Sequence, residues 1–465
     1  MLLPSAVVAL LVAAAAVPGV LQQADKDLSG GLADPLTTGD IQWSIRENRD
    51  GPATPKDAPL ARTGAWLTDS TVVVAEAQRL VSYDLESGKT VWEYKSPKGE
   101  FVCDVTPQST SKYALAAFGT GQNCSSLEAV DLKTGKQVWA KSAVAAQDDP
   151  DLQLPPSLAG MGLSTGIAVS GDTAVFDGQA YKVTDGKPLW SAADALPEGC
   201  SIEEVVGGAR LVAKWTCGFR GPTSFGELDA ATGRPKWTYE TTASSLMNEV
   251  SIAAVDPVMI KEGSPLGREA PKVVVLDDKG EESYQLKDGH PVINALGSND
   301  AIMGASPVLA TDKILYVPGS DGSATLNVGA FMPNQIYAID RATGERLWTQ
   351  TIAGTKSVGF KSQGQLYPIR VEESGDLLVL EASAAKPMHL LRFSAADGSI
   401  TNLKELPGRA AYAKGFMMAP VVFEKDGRVM FVAQGAEKTG DLRTRDILGR
   451  AVDTDMSYYR VIMLK

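Results

Sequence analysis

The chain is poor in the residues that most often carry chemistry. Its 465 residues include 2 histidines, His290 and His389, and 4 cysteines, Cys103, Cys124, Cys200 and Cys217. No Cys-x-x-Cys pair occurs, so the ligand spacing of a zinc site or a haem attachment motif is missing. There is no Lys/Arg-rich run, and 44 basic residues against 56 acidic ones give a net charge of −12. A nucleic-acid partner needs a basic face against phosphate, and this balance argues against one.

Long apolar runs are scarce as well, with one exception. Residues 1–21 hold no charge and are followed at once by Asp25, Lys26 and Asp27. As a helix such a stretch reaches about 32 Å, enough for a bilayer core of about 30 Å. Pro4, Pro18 and Gly19 leave only residues 5–17 uninterrupted, a signal-peptide length ending in Ala14-x-Ala16. Both readings stay open: a transmembrane anchor, or a cleaved signal that leaves a secreted chain. No cysteine follows the run, which excludes a lipoprotein anchor on this sequence. The basic residues that normally precede such a segment are missing, and the expectation is a true start upstream, with a cytoplasmic part. The domain reading is residues 1–21 as anchor or signal, 22–37 as linker and 38–465 as one folded unit.

What is present points to a repeat. Apolar residues make up 44% of the chain and charged residues 22%, enough apolar surface for a sizeable core. An alternating strand leads to Asp, then Thr/Ser-Gly, then a short strand with Trp four residues after the glycine. The best copies run through Asp84, Gly88 and Trp92, through Asp131, Gly135 and Trp139, and through Asp340, Gly344 and Trp348. Further copies carry Gly186 with Trp190 and Gly233 with Trp237. Gly289 and Gly398 keep the turn without the tryptophan, and Gly39 with Trp43 is the second half of a unit alone. The spacing of these glycines is about 50 residues, one propeller blade.

Each unit reads as a β-hairpin. Alternation marks half-buried strands, Asp bonds its own turn, and Gly takes the positive φ of the bulge. A second hairpin precedes it, as in residues 306–317 and 419–432, which makes four strands per unit. Seven units are complete. The eighth is divided, its inner strands at 419–465 and its outer strand at 41–45, so pairing the two chain ends closes the ring without a free edge. The expected fold is an all-β, eight-bladed propeller preceded by an N-terminal hydrophobic helix. Polar insertions at 144–157, 256–271 and 435–455 read as loops on the faces of the ring.

The Ala-x-Asp-x-x-Thr-Gly-x-x-x-Trp signature resembles the pyrroloquinoline-quinone (PQQ) repeat of eight-bladed propellers, over residues 38–465. That resemblance covers quinoprotein dehydrogenases, which hold the quinone and a calcium ion at the ring centre, and non-catalytic scaffolds such as BamB. It implies a docking role between blades for Trp43, Trp92, Trp139, Trp190, Trp237 and Trp348. The dehydrogenases carry adjacent cysteines, calcium ligands and a catalytic Asp. No Cys-Cys pair exists here, and neither the ligands nor the base match a motif in the sequence. No catalytic, cofactor-binding or metal residue is assigned, and PQQ and calcium are without site residues.

The cysteines fall as Cys103 with Cys124 and Cys200 with Cys217, each pair within one unit, and in an exported chain this favours two disulfides. Acidic clusters at Asp148, Asp149 and Asp151 and at Asp277 and Asp278 lack the calcium-loop pattern and read as solvated loops. The leading expectation is an extracytoplasmic, membrane-tethered or secreted scaffold at the cell envelope, monomeric, binding a protein or peptide. The alternatives are a quinoprotein oxidoreductase with an atypical site and the sensor ectodomain of a membrane receptor or kinase.

Overall fold

The computed structural model describes residues 41–46, 64–142, 167–286, 290–291, 308–320, 333–406, 421–432 and 459–464. Short interruptions fall at 77, 97–98, 107–111, 121–122, 219–220, 242–248, 264–271, 353–354, 357–360, 363–364 and 383–387. Residues 1–40 lie outside this set, and with them the expected N-terminal helix and Gly39. Among the described residues no helix is long and apolar enough to cross a membrane.

Eight antiparallel sheets form the blades of a propeller. Blade one is Ala65–Leu67, Thr71–Glu76, Arg79–Asp84 and Thr90–Lys95, and blade two is Phe101–Val105, Tyr113–Thr120, Asn123–Asp131 and Gln137–Ser142. Blade three is Ile167–Ser170, Thr173–Phe176, Gln179–Lys182 and Pro188–Ser191, and blade four is Cys200–Val206, Leu211–Cys217, Thr223–Leu228 and Tyr239–Glu240. Blade five is Glu249–Val255, Val258–Gly263, Lys272–Leu276 and Glu282–Leu286. In blade six the innermost position is shared by His290–Pro291 and Leu309–Ala310, both paired to Ile314–Ser320, followed by Gln335–Asp340 and Arg346–Thr351. Blade seven is Gln365–Val371, Leu377–Ala382, Met388–Phe393 and Ile400–Leu406.

Blade eight closes the ring. Val421–Lys425, Arg428–Val432 and Tyr459–Leu464 come from the end of the chain, and Ile41–Arg46 from its beginning supplies the outer strand. The register sets Trp43 opposite Met463 and Ile45 opposite Val461.

Packing explains why many strands are apolar on both faces. Every sheet is covered on each side by a neighbouring blade, so Val72, Val73 and Val74 are all fully buried although they alternate in direction. One apolar cluster fills each of the eight interfaces. The interface between blades eight and one contains Trp43, Val72, Val74, Met430 and Val461, so closure is made by core packing as well as by strand pairing.

The insertion expected at 256–271 is corrected in part. Asp256 and Pro257 form a tight turn and Val258–Gly263 is a strand, because Val258, Met259 and Ile260 are buried between blades four and six. The expected insertions at 144–157 and 435–455 fall outside the described residues.

Topology sorts the connections. In a four-stranded antiparallel meander the first-to-second and third-to-fourth turns emerge at one edge, and all other connections at the opposite edge. The first edge carries short turns such as 85–89, 171–172, 207–210 and 426–427, whereas 47–64, 143–166, 321–334, 407–420 and 433–458 all belong to the second. The ring therefore has a turn face and a loop face.

Candidate functional site

The turn face is built from the repeated signature. Asp84 accepts hydrogen bonds from the Ser87 N–H (2.8 Å) and hydroxyl (2.7 Å), and Asp131, Asp229 and Asp340 do the same for Thr134, Thr232 and Thr343. Asp followed three residues later by Ser/Thr thus closes the turn on itself. The carboxyls of Asp84 and Asp229 are held below the usual range by the hydroxyls of Ser87 and Thr232, and that of Asp340 by the Thr343 backbone N–H.

Each turn glycine then receives an aromatic ring from the preceding blade. Trp43, Trp92, Trp139, Trp190 and Trp348 stand over Gly88, Gly135, Gly186, Gly233 and Gly398. Their indole N–H groups donate to the backbone carbonyls of Leu85 (2.9 Å), Leu132 (3.1 Å), Val183 (2.7 Å), Ala230 (2.9 Å) and Ala395 (3.2 Å). A side chain at the glycine would collide with the ring, so the two positions are coupled across the interface.

Blades five, six and seven depart from this pattern. The turn glycine of blade five is Gly280 and not Gly289, which lies outside the described residues: the Trp237 ring sits against Gly280, whose φ is +79°. This turn is one residue tighter, with Gly280 N–H bonding Asp277 O where Gly233 N–H bonds Asp229 O. The Trp237 indole nitrogen has no hydrogen-bond partner among the described residues. Asp277 and Asp278 lie in this turn as the expected solvated pair: Asp278 is exposed and pairs with Arg210 of blade four, while Asp277 accepts the Lys279 and Glu281 N–H groups. Tyr284 takes the docking position in blade five, over Gly344, and its hydroxyl donates to Arg341 O (3.1 Å). Burial is the main cause that pushes the Tyr284 hydroxyl up to about 12. In blade seven that position is Asn402, which is exposed, and Lys404 instead reaches across to the Gly427 carbonyl of blade eight (3.0 Å).

A cleft of about 730 Å³ lies at the Tyr284 seam. One wall is the strand Glu282–Leu286, and the other is formed by Tyr337, Ile339 and residues 343–346. The repeat assigned no aromatic to this seam, because residues 280–284 lack the Thr-Gly-x-x-x-Trp signature.

The two disulfides sit toward the loop face. Cys200 and Cys217 face each other across the first two strands of blade four, and Cys103 joins Cys124 past the Gly119 end of the intervening strand in blade two. His389 lies between Glu381 (3.0 Å) and Glu405 (3.9 Å) in blade seven, while His290 belongs to a strand of blade six. Among the described residues no three His, Cys, Asp or Glu side chains converge to hold a metal ion. All four cysteines are taken up in these two disulfides, and neither disulfide joins adjacent cysteines.

An eight-bladed ring with a glycine-docked aromatic between blades defines a propeller of the PQQ-repeat class. The profile of the family described as Outer membrane protein assembly factor BamB matches residues 123–401, more than half of the chain, and the protein belongs to that family. Quinoprotein alcohol dehydrogenase PedH of Pseudomonas putida is 27% identical over 169 residues, which cover 34% of this chain and 27% of PedH. The match thus spans only about a quarter of that relative's length. Among solved structures, BamB from Moraxella catarrhalis aligns with a TM-score of 0.46 at 14% identity, covering 92% of this chain and 99% of that one. Quinohemoprotein alcohol dehydrogenase ADHIIG from Pseudomonas putida HK5 gives 0.47 at 14% identity, covering 93% and 78%.

Proposed function

We propose that the protein is an extracytoplasmic scaffold whose loop face holds a protein or peptide partner at the cell envelope. In this reading residues 1–21 tether or export the chain, 22–37 link it, and the propeller is a monomer. The observation that carries it is the segregation of connections: one face carries the short turns fixed by their own side chains, and the other carries the long connections 47–64, 143–166, 321–334, 407–420 and 433–458. Binding residues concentrate on loops that a rigid scaffold presents. The paired cysteines support an oxidising compartment.

The test is site-specific photo-cross-linking in intact envelopes, with the cross-linker at exposed Glu198 on the loop face or at exposed Thr232 on the turn face. A discrete, identifiable adduct from position 198 and none from 232 is expected. Adducts from both positions, or from neither, would sink the assignment of the loop face.

The resemblance to PedH favours a second reading, a quinoprotein oxidoreductase. Titration of the protein with PQQ and calcium tests it: a saturable rise in melting temperature would establish a cofactor site, and no rise would remove this reading.

A further inference from the structure

We propose that the cleft between blades five and six is a docking groove for an extended segment of a partner protein, taken up as an added strand beside Glu282–Leu286. The inference rests on the scaffold reading and gives that scaffold a second, specific contact.

The geometry comes first. All five residues of Glu282–Leu286 line the cleft, so it runs the whole length of the strand. This strand is the outermost of blade five, paired only to Lys272–Leu276 on its inner side. Its outer backbone N–H and C=O groups have no strand partner among the described residues, the arrangement that strand addition uses. The cleft lies within the usual size of a ligand groove, roughly 300 to 1,000 Å³.

The departures from the repeat point the same way. Exposed edges are normally guarded by lysine. The outer strands of blades one and two follow that rule with Lys95 and Lys141, whereas Glu282–Leu286 holds neither Lys nor Arg. The seam is also held by Tyr284, a smaller ring than the tryptophan at six of the other docking positions described above.

Charge and apolarity define the segment that fits. The residue after the turn glycine is basic in the first four blades, at Lys89, Lys136, Lys187 and Arg234, and acidic in the next two, at Glu281 and Glu345. With Glu282, carboxylates thus stand on both walls of the cleft. Leu286, Tyr337 and Ile339 belong to one apolar cluster and form its apolar part. Arg346, on the far wall, is placed for a carbonyl or carboxylate. The matching segment is an extended one that alternates an aliphatic residue with Lys or Arg.

Fluorescence anisotropy of the full chain with a labelled peptide of alternating valine and lysine, about nine residues long, tests this by strand addition. The control is the same peptide with two central valines replaced by proline, which keeps the charge and cannot pair as a strand. Saturable binding is expected for the first peptide, weakened at least about tenfold by the prolines, by Tyr284→Trp and by Glu282→Lys. Tyr284→Trp restores the residue of the other blades, and Glu282→Lys is exposed, so both variants retain the fold. Equal binding of the two peptides, binding indifferent to both substitutions, or no binding to the unaltered chain would each overturn the proposal. Cross-linking from Glu198 is unaffected by Tyr284→Trp on either outcome, so failure of the groove and failure of the loop-face reading are told apart.

Discussion

The indole of Trp92, in the outer strand of blade one, lies flat against Gly135 in the turn of blade two, so close that a Cβ on that glycine would stand 2.5 Å from the ring. The contact joins a local requirement to a distant one. Gly135 has a φ of +68°, which side-chain-bearing residues rarely adopt, and the missing side chain leaves room for the ring. Replacing Gly135 with Ala should cost about 1–2 kcal/mol for the backbone and a further 1–3 kcal/mol for overpacking. Denaturant unfolding of Gly135→Ala measures it. A loss no larger than that of an exposed Gly→Ala substitution at Gly99, where φ is +70° and nothing lies within 4 Å, would show that the ring is displaced freely.

Trp43 is the same device at the closing seam. It is buried, donates to Leu85 O, and belongs to the only outer strand contributed by the N-terminal part of the chain among the described blades. Trp43→Ala should destabilise by about 3–5 kcal/mol, as for other buried tryptophans. Removal of residues 1–46 should lower the melting temperature further, because it also exposes the edge of Tyr459–Leu464. An unchanged melting temperature after the deletion would contradict closure by these strands.

The disulfides close loops of 21 and 17 residues. Each should contribute on the order of 3 kcal/mol through the unfolded chain. Thiol titration of the oxidised protein in denaturant should find no free thiol, and the Cys200→Ser, Cys217→Ser double variant should melt at a lower temperature. Four reactive thiols in protein isolated from the envelope would refute the pairing there.

Acid should loosen the turn face. Asp84, Asp229 and Asp340 have carboxyls depressed in the folded state, through the Ser87 and Thr232 hydroxyls and the Thr343 N–H respectively. A depressed folded value means that the stabilisation is present above the unfolded value of about 3.9 and is lost as pH falls through the folded one. The melting temperature is expected to fall as pH drops below about 4, and to fall less steeply in the Asp84→Asn, Asp229→Asn, Asp340→Asn triple variant. Identical pH profiles would place the acid sensitivity elsewhere.

The architecture was legible in the chain because its signals are local. Asp131, Thr134 and Gly135 form their turn from neighbours within four residues, and Trp139 sits at a fixed distance beyond, so each blade announces itself in one short window. The same logic located the divided eighth blade, since Trp43 follows Gly39 by the same spacing that separates Trp92 from Gly88. The two cysteine pairs were readable for a related reason, each lying within a single blade.

Where a position depended on partners far along the chain, the sequence was silent or misleading. Asp288 with Gly289 imitates the turn of blade five, but the strand register and the ring of Trp237 select Gly280, a choice made across an interface between blades. Tyr284 carries no signature of its own, and its place over Gly344 is decided only when blades five and six pack together. The cleft beside it exists for the same reason: its two walls are separate segments, 282–286 and 337–346, brought face to face by the closed ring. Local hydrogen bonds and side-chain periodicity thus determined the number and form of the blades, while packing between them decided which turn faces which ring and where a groove remains.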